Sequence, residues 1–339
     1  MYLILHAPNV HVGGGFVLLR GVLVAAAGKL RLAQLDERTR DRLDVQPNLE
    51  VLYVAPTAAA RFVAEWKLLR VSKPDDLVLC FHGIPPLLPV RGRVVVFLQN
   101  RYLLGLRLRR KLPAKIALRI AFERAVCTLF RHRVAEYLVQ SDTMANDLRR
   151  WHGGDPTVRV LPFADLFGTV RTRPNATDSY DFVYVASGIA HKNHERLIEA
   201  WLLLAKAGLF PSLALTLGPA DQALLDRLEQ LGSKTAIRVY NLGVLPHGRV
   251  LELYQSAGAL IYPSTSESFG LPLVEAAASG LPIVAAELDY VRDVVSPVET
   301  FDPESALSIS RAVRRFLGCP EMPGPILTAG EFVERILQS

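Results

Sequence analysis

The sequence predicts an α/β protein built from two Rossmann-like, doubly wound parallel-sheet domains that face a central cleft. Three observations lead to this expectation. The chain has 339 residues, more than one hydrophobic core usually covers, so two domains are the natural division. Its strand-like runs are short and almost continuously apolar, which means burial on both faces and hence a parallel sheet covered by helices. The alternation of strands and helices also runs once, breaks, and starts again.

In the first half, residues 2–6, 51–54, 77–81, 94–98 and 137–139 read as strands with helical stretches between them. From 161 to 179 the chain turns polar and irregular, with Pro162, Gly168, Pro174, Asn175 and Asp178, the composition of a linker. This puts a boundary at 168 and predicts units of 1–168 and 169–318. Strands are expected again at 182–186, 213–217, 237–240, 259–262 and 283–285. A helix to about Leu317 follows Pro303, then a Pro/Gly-rich break. The tail, 319–339, is expected to carry a last helix that crosses back to the first domain.

Composition excludes several classes. Half the residues are apolar and 21% charged, unlike a disordered chain. Cys80, Cys127 and Cys319 are too few and too scattered for a disulfide framework or a zinc site, which favours a reducing cytoplasm. The N-terminus lacks the basic flank and cleavage site of a signal peptide. The most apolar stretch, 16–27, is broken by Arg20 and shorter than the ~20 residues a membrane span needs. The net charge of +6 is local in origin: residues 91–133 hold twelve Lys or Arg against Glu123 alone. There Arg107, Arg109, Arg110, Lys111, Lys115 and Arg119 alternate with apolar residues. That mixture suits an anionic membrane surface, and it equally suits a solvated helix face. No nucleic-acid motif accompanies it, so a nucleic-acid partner is not expected.

The segment from Pro263 to Glu275, Pro-Ser-Thr-Ser-Glu-Ser-Phe-Gly-Leu-Pro-Leu-Val-Glu, carries the sharpest signal. It leaves an apolar strand and enters a helix with Pro272 near its first turn, where a missing N–H costs nothing. Gly270 lets the backbone approach a ligand closely. The helix N-terminus, with unpaired N–H groups and the positive dipole end, is suited to a diphosphate. Glu267 and Glu275 frame the loop, and a carboxylate can grip two hydroxyls of a ribose or a sugar. An N-terminal capping pair would explain the same two residues.

The run from Gly243 through Pro263–Ser264 to Glu275 resembles the retaining glycosyltransferase family 4 (glycosyl transferases group 1), of GT-B fold, including its Glu, seven residues, Glu signature. Upstream, Tyr184-Val-Ala-Ser-Gly-Ile-Ala-His-Lys192-Asn193 resembles the family's strand and loop carrying a diphosphate-binding Lys. The likeness is strong over 180–300 and extends to the N-terminal half only in layout. It implies an N-terminal acceptor domain and a C-terminal nucleotide-sugar domain. Glu275 would hold the ribose, Glu267 the donor sugar, and Lys192 the leaving diphosphate. The backbone of Ser268, Phe269, Gly270 and Leu271 would meet diphosphate or sugar, with Gly218 and Val244 near the base. The chain departs from the family where an Arg usually precedes the Lys and Ser187-Gly188-Ile189 stands instead. Arg196 or a basic N-terminal loop is expected to supply that second cation.

In the first domain, His11-Val-Gly13-Gly14-Gly15-Phe16 follows the first strand. It is not the G-x-G-x-x-G fingerprint, and no acidic residue is expected about 20 positions on at a second strand's end, so hydride transfer is disfavoured. The resemblance implies that Gly14 and Gly15 close over the donor. His82 and Gln99-Asn100 follow strands and are expected at the same edge, with His82 a candidate catalytic residue. The resemblance often has a His where Gln99 stands. His191 and His194 lack a third metal ligand nearby in sequence, and no Asp-x-Asp follows a strand.

The expectation is therefore a cofactor-free, metal-independent retaining transferase, moving a hexosyl or deoxyhexosyl group from a nucleotide sugar to a glycan or lipid-linked acceptor. Its setting would be cell-surface polysaccharide or lipopolysaccharide synthesis, peripheral on the inner face of the cytoplasmic membrane. A non-catalytic GT-B module binding nucleotide sugar or lipid, or an epimerase of the same fold, are the alternatives.

Overall fold

A computed structural model describes residues 2–320 except Ala27, Gln46, Asn48, 105–113 and 165–179. The first sheet has seven parallel strands: β1 (Leu3–Ala7), β2 (Leu30–Asp36), β3 (Glu50–Val54), β4 (Leu77–Cys80), β5 (Arg93–Phe97), β6 (Glu136–Val139) and β7 (Val158–Val160), in spatial order β3-β2-β1-β4-β5-β6-β7. Among its helices are α1 (Gly13–Ala25), α2 (Ala58–Val71), α3 (Ala114–Phe130) and α4 (Asp142–His152).

The second sheet has six parallel strands: β8 (Phe182–Tyr184), β9 (Ser212–Leu215), β10 (Arg238–Asn241), β11 (Ala259–Tyr262), β12 (Ile283–Ala286) and β13 (Glu299–Phe301), ordered β10-β9-β8-β11-β12-β13. Helices α5 (His194–Lys206), α6 (Gln222–Gly232), α7 (His247–Ser256), α8 (Leu271–Ala278), α9 (Asp289–Arg292) and α10 (Ala306–Phe316) accompany it.

Strand order reverses between β1 and β4 in one sheet and between β8 and β11 in the other. A crevice opens at the carboxyl ends of the strands at such points, and ligands of open α/β sheets sit there. The glycine loop, His82, Lys192 and the loop after β11 all follow these four strands.

Three strands were not expected. In β2, Arg31, Gln34 and Asp36 interrupt the apolar run, yet Gln34 and Asp36 are fully buried. Their burial is sustained by bonds that sequence cannot show: Gln34 Nε2 donates to the Ala64 carbonyl at 2.7 Å, and Asp36 takes a bidentate grip from Arg38 at 2.8 and 2.7 Å. β7 and β13 are three-residue edge strands, too short to carry a periodic signal. Asp36 also corrects a second expectation, because an acidic residue does end the second strand about 20 positions after the glycines. Arg38 occupies its carboxylate.

The two sheets are not independent bodies. Phe269 and Leu271, from the loop after β11, are buried in one apolar cluster with Leu5, Leu19, Phe81 and Phe97 of the first sheet and its helices. Hydrogen bonds cross beside it: Tyr102 OH to His191 Nδ1 at 2.7 Å, Ser141 Oγ to the Ser268 carbonyl at 3.3 Å, and Thr143 N to Asp293 Oδ2 at 2.9 Å. The boundary at 168, the basic residues Arg107, Arg109, Arg110 and Lys111, and the tail beyond 320 lie outside the described residues, as does the Lys115 side chain. Among the described residues no helix is long and apolar enough to cross a membrane.

Candidate active site

The C-terminal wall is built around Lys192. After β8 the chain makes one short turn and reaches Asn193, which has φ 63° and is the one non-glycine among the described residues with positive φ. Asn tolerates this left-handed conformation better than most residues. Its side-chain amide secures it by donating to the carbonyls of Pro263 at 3.2 Å and Pro303 at 2.7 Å. Tyr184 OH donates to the Lys192 carbonyl at 2.7 Å. The ammonium is thereby aimed at the loop after β11, where it meets Glu267 Oε1 at 2.6 Å.

Glu267 Oε1 also accepts from Ser264 Oγ at 2.6 Å and Tyr262 OH at 3.2 Å. All three bonds fall on one oxygen, so Oε2 keeps its lone pairs for a ligand hydroxyl. Burial pushes this carboxyl up, but Lys192, His191 and Ser264 outweigh it and hold the pKa below the usual carboxylate value. Glu267 is therefore ionised at neutral pH. Gly270, at φ 82°, turns the chain into α8, with Pro272 in its first turn.

The N-terminal wall faces it. Gly13 to Gly15 start α1 and face the loop after β11: a Cβ on Gly14 would lie 3.5 Å from Leu271 Cδ2. His82 donates from Nδ1 to the His6 carbonyl at 3.1 Å. Burial, the neighbouring His6 and Arg61 hold its pKa well below 6.5, so the ring is neutral and Nε2 is a proton acceptor. Gln99 donates to the Phe81 carbonyl at 2.8 Å. Together the walls enclose a cavity of about 700 Å³, within the range of small-ligand sites.

Of the expected residues, Glu267, Lys192, His82, Gly14, Gly15, Ser268, Phe269, Gly270 and Leu271 line this cavity. Glu275, Gly218 and Val244 do not. Glu275 lies 7% exposed on α8, accepting from His247 Nε2 at 2.8 Å. Gly218 and Val244 sit against each other, since a Cβ on Gly218 would fall 2.8 Å from Val244 Cγ2. Arg196 is also elsewhere: it pairs with Glu199 at 2.6 Å, one helical turn along α5, and does not reach the cavity. Among the described residues, the arginines that do are Arg38, Arg61 and Arg119, all from the N-terminal sheet's domain. Tyr102, Asn193 and His247 carried no sequence signal, because their roles depend on partners 89, 70 or 110, and 28 positions away.

Residues 170–326 match the family model of glycosyl transferases group 1. This stretch is a group 1 glycosyltransferase domain. Among curated relatives, the chain is similar to a D-inositol 3-phosphate glycosyltransferase of Streptomyces griseus, 40% identical over 80 residues that make up 22% of this chain and 16% of that protein. It is also similar to the O-antigen chain mannosyltransferase B of Escherichia coli, 28% identical over 138 residues, 40% of this chain and 36% of that one. The chain thus aligns with well under half the length of these relatives. Among solved structures, Anabaena HepE in complex with UDP and glucose superposes with a TM-score of 0.68 at 15% identity, covering 94% of this chain and 89% of that one. The fold is GT-B. In the glycosyltransferase domain, Lys192, Glu267 and the start of α8 form one wall of the cavity, and the other wall belongs to the first sheet.

Proposed function

We propose that the chain is a retaining, metal-independent glycosyltransferase of the family 4 type, which transfers a sugar from a nucleoside diphosphate sugar to a glycan or lipid-linked acceptor. The observation that carries this reading is the Lys192–Glu267 pair at the entry to α8, facing the glycine loop across one cavity. In this reading the Lys192 ammonium and the first N–H groups of α8 take up the charge that develops on the departing diphosphate. Glu267 Oε2 accepts from donor-sugar hydroxyls. Glu275 holds the ribose and His247 orients its carboxylate, while Gly218 and Val244 border the base. The neutral His82 ring accepts a hydrogen bond from the sugar or the incoming hydroxyl. The acceptor's proton goes to a donor phosphate oxygen on the same face, so no protein nucleophile is needed.

The mannosyltransferase relative named for the O-antigen chain supports a role in cell-surface polysaccharide or lipopolysaccharide synthesis. The basic segment 91–133 supports work at the cytoplasmic face of an anionic membrane, with Leu118, Phe122 and Leu129 exposed on α3. Vesicle binding that weakens at high salt and without anionic lipid checks that clause.

The deciding experiment is a thermal-shift panel of nucleoside diphosphates, followed by donor hydrolysis with the nucleotide sugar that the best one identifies. Lys192→Ala is expected to slow hydrolysis about a hundred- to a thousand-fold. A wild-type protein that binds a diphosphate but turns no sugar over would instead be a non-catalytic module.

A further inference from the structure

Among the described residues, four lysine or arginine side chains line the cavity, and two are already engaged. Arg38 is held by Asp36 and Lys192 by Glu267. Arg61, in the first turn of α2, and Arg119, on α3, are different. The Nε of Arg61 is buried and has no hydrogen-bond partner among the described residues, an arrangement that is costly unless a ligand completes it. Glu65, one turn along α2, is already taken by the Leu87 and Leu88 amides at 3.0 and 3.4 Å. Glu123 also lines the cavity, but its contact with Arg119 is long, 3.8 Å, and Arg119 is 67% exposed. Burial raises the Glu123 carboxyl against the pull of Arg119 and Arg61, so it opposes an incoming anion less than a solvated carboxylate would.

The same two helices carry exposed apolar side chains. Phe62 and Trp66 on α2 are 59% and 45% exposed, and Leu118 and Phe122 on α3 are 74% and 67% exposed. Each lies within about a turn of Arg61 or Arg119. Arg70 stacks on one face of the Trp66 ring, and cations at the cavity wall with exposed aromatic and aliphatic side chains on the same helices match a ligand that has an anionic head and a hydrocarbon tail.

Building on the transferase reading, we propose that Arg61 and Arg119 bind the phosphoryl group of a lipid-linked acceptor, whose hydrocarbon chain lies over Phe62, Trp66, Leu118 and Phe122. This narrows the acceptor to a lipid phosphate or diphosphate.

The test uses the full chain and three probes: geranyl phosphate, geraniol and inorganic phosphate, titrated calorimetrically below the micellar range. Geranyl phosphate is expected to bind at least tenfold more tightly than either fragment. Arg61→Gln should weaken it about tenfold and leave geraniol unchanged, and Arg61→Lys should recover part of the loss. Phe122→Gln should weaken geranyl phosphate and leave inorganic phosphate unchanged. Equal affinities for geranyl phosphate and geraniol in the wild-type protein would overturn the proposal, whether or not the variants fold. A nucleoside diphosphate titration of the same sample separates the two readings. Diphosphate binding without a preference for geranyl phosphate removes only this subsite, whereas no diphosphate binding removes the transferase reading beneath it.

Discussion

Lys192 and Glu267 have side chains only 17% and 12% exposed and sit 2.6 Å apart, and the ammonium is among the groups that hold the Glu267 carboxyl below its ordinary value against burial. Replacing Glu267 with Gln leaves a largely buried ammonium without its carboxylate, and the expected loss is about 1–3 kcal/mol, read as a lower urea midpoint at pH 7. Because the folded-state pKa of Glu267 is depressed, its contribution is present above the ordinary carboxylate value and fades as pH falls through the folded one. His194 predicts a second acid effect. Both its ring nitrogens are buried without a partner among the described residues, and burial, with Lys192 against the opposing pull of Asp221, lowers its pKa from 6.5 to about 4. The folded state therefore resists protonation that the unfolded chain accepts, and stability drops between pH 6.5 and 4 by on the order of 3 kcal/mol. His194→Phe should flatten that limb in urea titrations at pH 7 and 4.5. Residues of this kind divide sharply by legibility. Lys192 and Glu267 were readable because a local motif surrounds each, while Arg61 and His247 sit in unremarkable helical sequence and acquire a role only from what they face.

At the level of elements, backbone conformations aim the site. Asn193 holds φ 63° by bonding two carbonyls, those of Pro263 and Pro303. Asn193→Ala would lose both bonds and keep the strain, for an expected destabilisation of about 2–3 kcal/mol. Asn193→Gly relieves the strain but loses the same bonds, so its midpoint in thermal unfolding should fall between wild type and Ala. Gly270→Ala meets a different obstacle: at φ 82° the added Cβ would lie 3.0 Å from Leu273 Cδ1. It should lower the melting temperature and weaken nucleoside diphosphate binding together, because the turn that sets the first N–H groups of α8 must shift. The start of α8 was legible from Gly270-Leu-Pro272, since glycine and proline impose backbone geometry directly. β2 was not, because its identity as a central strand rests on bonds from Gln34 and Asp36 to groups outside it.

Across the whole molecule, the domains meet through the buried Phe269 and Leu271 and through Tyr102, whose hydroxyl reaches His191. Tyr102→Phe removes one bridge while keeping the ring, and the expected result is a small drop in stability, about 0.5–1.5 kcal/mol, with a larger radius of gyration in small-angle scattering without ligand. A nucleoside diphosphate at a hundred times its Kd should add about 2.7 kcal/mol to wild-type stability. The two-domain plan was legible because each half repeats a strand-and-helix rhythm. How the halves touch was not, because the contacting side chains are 89 or more positions apart.

Gly14 faces Leu271 across the cavity mouth, where an added Cβ would come within 3.5 Å of Leu271 Cδ2, so the glycine loop and the loop that opens α8 flank the cavity from opposite sides. In the transferase reading proposed above, the two walls swing apart to admit and release a sugar nucleotide in each catalytic cycle. Such a swing drags solvent. The turnover number should therefore fall as glycerol or sucrose thickens the medium, even though neither enters the chemistry, and a poor donor whose bond-breaking step is slow should escape that dependence.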